Sequence, residues 1–129
     1  MIFPSVGDAV DTARSLFHDL RRVPPDVAPA PSIDARAAVT WGEILLDGRG
    51  GRHGATINKA FRIDGLGRAD VTQVEPGVTR ESIPDGRRIL LDEEAAQEAR
   101  ATGVTSDYLG LCPLKGFTGL HRVYLVDAG

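Results

Sequence analysis

Four prolines crowd the ten residues VPPDVAPAPS at 23–32, and they constrain the chain more than any other feature. Each proline locks its own φ and removes a backbone donor, so the segment reads as an extended connection that ends whatever precedes it. What precedes it is a helix pattern. Residues 6–22 place Val6, Ala9, Val10, Ala13, Leu16, Phe17 and Leu20 on one amphipathic stripe. Asp8 and Asp11 come early and Arg21 and Arg22 late, as the helix dipole favours. His18 falls at the border of the stripe and reads as an edge residue.

Beyond the prolines the pattern changes to short strands. The stretch IDARAAVTWGEILLDG alternates before and after Gly42, which predicts two strands joined at a bend near Trp41 and Gly42. The glycine-rich DGRGGRHG reads as a loop leading into a second helix from Ala55 to about Leu66, with Ile57, Ala60 and Phe61 facing the core. Residues 67–86 are polar and aperiodic, and a connection of that length is either functional or mobile. RRILLD returns to strand character. DEEAAQEARA predicts a short helix capped by Asp92. Two strand-like runs around a Pro-Leu-Lys-Gly turn finish the chain.

With a leading strand at the N-terminus the predicted order is β-α-β-β-α-insert-β-α-β-β. Adjacent strands favour an α+β domain with a mostly antiparallel sheet. At 129 residues the whole of 1–129 reads as one domain. A formal net charge of -3 with scattered arginines argues against a nucleic-acid surface. No run reaches the length of a membrane span, and no secretory leader is visible, so a cytoplasmic setting is expected. Cys112 is the single cysteine, and its apolar neighbours predict a buried small hydrophobe.

The chemistry concentrates in TINKAFR at 56–62 and PLKGF at 113–117, which hold the two lysines. Asn58 and Arg62 are four apart and share one helical face. Lys115 sits in a turn, where a compact positive charge can reach a phosphate. A guanidinium, a carboxamide and an ammonium suit a phosphoryl group and the sugar that carries it. The same residues also describe a solvated helix face and a turn lysine, and spacing alone favours that plainer reading. His53 and His121 read as packing or edge residues. Asp92, Glu93 and Glu94 fit helix capping better than metal binding.

The succession WGEILLDG, GATINKAFRIDGLG, RILLDEEA and LGLCPLKGFTGLHRVYLV resembles the later part of the class III nucleotide cyclase domain. That family carries Gly-x-x-Val-Asn-x-Ala-x-Arg-Leu on a helix and Leu-Lys-Gly-Phe before a Val-Tyr strand. The likeness runs from Met1 to Ala128 apart from 67–86, which has no counterpart there. It implies a ferredoxin-like antiparallel-sheet sandwich of the cyclase type, here without its first strand-helix-strand elements. It also implies a nucleoside triphosphate substrate converted to a cyclic nucleotide and pyrophosphate.

By motif position Asn58 would orient the ribose and Arg62 would stabilise the transferring phosphoryl group. Lys115 would hold the terminal phosphates, and Gly51 would stand where active members read the base. The family uses Mg or Mn on two aspartates, which would lie upstream of Met1, so the chain alone is expected to be inactive. Its sites form between two domains, which implies a homodimer or a heterodimer with another cyclase domain. The alternative is an inactive homologue that binds nucleotide, dimerises or regulates. A sheet without its leading elements is expected to expose an edge and an apolar face.

Overall fold

The structure is a computed structural model that describes residues 2–21, 36–42, 45–46, 52–53, 55–79, 83–84 and 87–127. The elements are α1 (Val6–Arg21), β1 (Ala37–Val39), β2 (Leu45–Leu46), β3 (Arg52–His53) and α2 (Ala55–Asp64). They continue with a single 3-10 turn (Arg68–Asp70), β4 (Gln73–Val74), β5 (Ile89–Leu91), α3 (Glu93–Ala101), β6 (Asp107–Pro113) and β7 (Leu120–Val126). The strands form a mixed, mostly antiparallel open sheet in the order β1-β5-β7-β6-β4, with β1 and β5 parallel. With three helices among the described residues, this is an α+β arrangement compatible with a ferredoxin-like fold.

Period-two alternation divides the core between the two faces of the sheet. Ile89, Leu91 and Val126 pack with Val6, Val10, Phe17, Ala95 and Ala99, so α1 and α3 cover one face. Leu90, Val123, Leu109 and Cys112 point the other way, against Ile63 and Leu66 at the end of α2 and Val71 and Ile83 beyond it. Cys112 is fully buried, as its apolar neighbours predict.

Several expectations are corrected. Residues 2–5 form no strand: Pro4 has no amide to donate, and the Ser5 hydroxyl accepts from the Asp8 amide at 3.1 Å, so this stretch starts the helix. The two strands around Gly42 do not share a sheet. β1 belongs to the main one, while β2 pairs antiparallel with β3, so Arg52 and His53 are strand rather than loop. A Cβ at 42 would lie 2.6 Å from the Thr56 hydroxyl, so any side chain there would make Thr56 shift. The Thr40 hydroxyl donates to the Thr56 carbonyl at 2.7 Å, which ties β1 to the first turn of α2.

On α2 the core set shifts. Phe61 is 73% exposed, Ile57 and Ala60 are half-buried, and Ile63 is fully buried. The inward row is therefore 56, 59, 60 and 63, which puts Phe61 on the outer side. The 67–86 segment is not a bare loop either. It supplies β4 as a partner for β6, and Val71 and Ile83 enter the core. The Arg68 side chain donates to the Ile83 carbonyl and closes the segment on itself. The expected sheet edges are present, but they are short: three residues in β1 and two in β4. Both faces of the sheet carry packed apolar side chains. The proline segment at 23–32 lies outside the described residues.

Candidate functional site

Helix α2 presents two different faces. Asn58, Phe61 and Arg62 form its exposed row, and Asn58 and Arg62 make no hydrogen bond or ion pair among the described residues. Lys115 is also exposed and has no such partner among the described residues. It stands in the turn between β6 and β7, closed by the Phe117 amide donating to the Leu114 carbonyl at 3.0 Å. The next residue, Gly116, has φ of 86°, a conformation a side chain would strain, so glycine is required directly after the lysine. Gly51 lies outside the described residues.

The inward face of α2 holds an unexpected residue. Lys59 occupies the row of Thr56, Ala60 and Ile63, where an apolar residue would be ordinary. Its side chain is only 15% exposed, and its ammonium lies 3.3 Å from Asp92 Oδ2 and 3.5 Å from Glu94 Oε2. Asp92 is 2% exposed and caps α3, its Oδ1 accepting from the Ala95 amide at 2.8 Å. Burial pushes the Asp92 carboxyl up to about 6, against the opposing pulls of the Ala95 amide and the Lys59 ammonium. Burial acts in the same sense on Glu94, but its own backbone amide, Asp92 and Lys59 together hold it below the usual carboxylate value. Where one proton is shared between these two acids, it resides on the more buried Asp92.

A cleft of about 450 Å³ opens beside this group. Lys59 lines it from α2, Glu93 and Glu94 from α3, and Leu111, Leu120, His121 and Arg122 from the β6–β7 hairpin. Arg122 Nη1 sits 3.3 Å from Glu93 Oε1, so Lys59 and Arg122 in the wall each face a carboxylate of α3. His121 is half-buried on β7, paired with Cys112 of β6 and beyond the Tyr124–Val126 stretch that pairs with β5, and meets Phe117 edge-on at 6.0 Å. Its Nε2 has no hydrogen-bond partner among the described residues. None of Asn58, Arg62 and Lys115 lines the cleft, although both elements that carry them border it.

Sequence reading missed Lys59, because TINKAFR drew attention to its outward residues. The available signal was spacing: Lys59 falls three residues after Thr56 and four before Ile63, in the row that the buried Ile63 turns inward. Asp92 as the cap of α3 is borne out. His18 is exposed on α1. Among the described residues no group of three or more His, Cys, Asp or Glu could hold a metal ion. No helix among the described residues is long and apolar enough to cross a membrane. Comparison with known protein families, with curated proteins and with solved structures found no match.

Proposed function

We propose that the chain is a class III nucleotide cyclase-like domain of ferredoxin-like type, supplying phosphate- and ribose-binding groups to a site shared with a second domain. The observation that carries this reading is the pair Asn58 and Arg62, exposed and unpartnered among the described residues, one turn apart on α2. Lys115, likewise exposed and without a partner among the described residues, is the third group of the reading. In this reading the Asn58 carboxamide holds a ribose oxygen. The Arg62 guanidinium offsets charge growing on the transferring phosphoryl group, and the Lys115 ammonium meets the terminal phosphates. Exposed cations of this kind can take a phosphate without first giving up an ion pair to another described residue.

Calorimetric titration with ATP and GTP tests the reading. A nucleoside triphosphate is expected to bind, and Arg62→Ala and Lys115→Ala each to weaken it about tenfold, as loss of one charge-assisted contact implies. No heat with either nucleotide would sink the proposal.

A second reading is a non-catalytic homologue that binds nucleotide or dimerises, in which the exposed Asn58, Arg62 and Lys115 hold a ligand without turning it over. Mixing the chain with a cyclase domain that has both metal aspartates but lacks the Asn and Arg separates the two. Cyclic nucleotide formed only in the mixture supports the shared site. Nucleotide binding without turnover supports the second reading.

A further inference from the structure

We propose that Lys59 and Asp92 form a latch that holds the middle of α2 against the start of α3 and so sets the outward direction of Asn58 and Arg62. The functional consequence rests on the cyclase-type reading above; the latch itself does not.

Helix α2 is anchored at both ends. Its first turn is tied to β1 through the Thr40 hydroxyl and the Thr56 carbonyl. Its last turn is tied down by Arg88, which donates to the carbonyls of Asp64 and Leu66, and by the buried Ile63. Between these points the inward residues are small or charged: Thr56, Lys59 and Ala60. Ile57 in that stretch is only half-buried and Phe61 points outward, so no large apolar side chain there is fully buried to fix the rotation of the helix. The ammonium of Lys59 on Asp92 supplies the missing constraint. A buried ion pair is weak evidence for stability, but it specifies geometry, since any other helix rotation leaves a buried carboxylate without its cation. Asn58 is next to Lys59 in sequence and Arg62 is three residues on, so a rotation that releases Lys59 also redirects them.

The latch responds to protons. The charged groups around Asp92 are Lys59 from α2 and Glu94 from its own helix, with Glu93 of α3 and His121 and Arg122 of β7 along the same cleft. Protonating Asp92 removes the charge that Lys59 answers, and the more exposed Glu94 is then its remaining acid partner. Holding Asp92 as a neutral amide reproduces that state without changing its shape or its ability to cap α3.

The test uses the full chain with Lys59→Met, Asp92→Asn, the double variant K59M/D92N, and Lys59→Arg. Lys59→Met alone leaves a buried carboxylate without a cation and is at risk of not folding, so the double variant carries the measurement. Amide hydrogen exchange over residues 56–61 is expected to speed up at least tenfold in K59M/D92N while β6 and β7 keep wild-type protection. Exchange within twofold of wild type over 56–61 would overturn the latch. In the wild type, the NMR signals of the Asn58 carboxamide and the Arg62 Nε–H should shift in one step centred near pH 6, absent in Asp92→Asn. A step that persists in Asp92→Asn would also overturn it. Where the wild type binds ATP, K59M/D92N should weaken it at least fivefold and Lys59→Arg should keep most of it; unchanged affinity in the double variant counts against the latch. Absence of ATP binding by the wild type refutes the nucleotide reading, and the exchange and pH measurements still decide the latch.

Discussion

The Arg88 guanidinium donates to the carbonyl of Asp64, the last residue of α2, at 3.2 Å. The same group donates to the carbonyls of Leu66 and Pro84, and Arg88 as a whole is only 1% exposed. A buried cation at this end of a helix meets the negative end of its dipole and satisfies carbonyls that the helix leaves open. It also joins α2, the 67–86 segment and β5 through one side chain.

Arg88→Leu should therefore destabilise the fold by about 3 kcal/mol, since it strands several buried acceptors at once. Arg88→Lys should recover only part of this, because an ammonium cannot span the carbonyls that a planar guanidinium reaches. Urea denaturation measures both, with the slope expected to stay at its wild-type value.

This residue also shows where sequence reading stops. In RRILLD the paired arginines look like scattered surface charge, and nothing local says that one of them is interior. The strand itself was legible, because Ile89, Leu90 and Leu91 are apolar without interruption and serve both faces of the sheet. The cap at Asp92 was legible for the same kind of reason: its chemistry is local. Apart from Pro84, the partners of Lys59 and Arg88 lie about 20–35 residues away, so only the fold brings them together. The position of β4 was hidden likewise, since two residues that pair with β6 carry no periodicity. Asn58, Arg62 and Lys115 of the proposed site could be picked out by type and spacing, whereas the inward turn of Lys59 was signalled only by its spacing from Thr56 and Ile63, and its acid partners not at all.

Asp92 predicts an inverted dependence of stability on pH. Its carboxyl is raised in the folded protein from 3.8 to about 6, so the folded state binds the proton more tightly than the unfolded chain. The stability it contributes is present below its ordinary value and is lost as pH rises through about 6. Glu94 is shifted downward and works in the opposite sense, so the comparison must be with Asp92→Asn rather than with pH alone. The stability of wild type relative to Asp92→Asn should fall by about 2 kcal/mol between pH 4 and pH 6. Urea midpoints across that range would show it; a flat difference would mean that Asp92 titrates as an ordinary surface acid.

Burial pushes the Cys112 thiol up to about 11, so almost none is ionised at neutral pH. Folded protein should resist alkylation by iodoacetamide at pH 7.5 and react fully in denaturant. The rate of labelling then reports opening of the β6–β7 layer. Cys112→Ser should cost about 1–3 kcal/mol, because it places a hydroxyl where the surroundings are apolar.

The outward turn of Phe61 gives the most direct check on the orientation of α2. Ile63 is fully buried against Leu90, Leu109 and Val123, whereas Phe61 is largely in solvent. Ile63→Ala should cost about 2–4 kcal/mol through lost burial and the cavity left behind. Phe61→Ala should change stability by less than about 0.5 kcal/mol, as expected of an exposed position. A helix turned as the apolar spacing of Ile57, Ala60 and Phe61 suggests would reverse that ranking. Thermal or urea denaturation of the two variants distinguishes the alternatives.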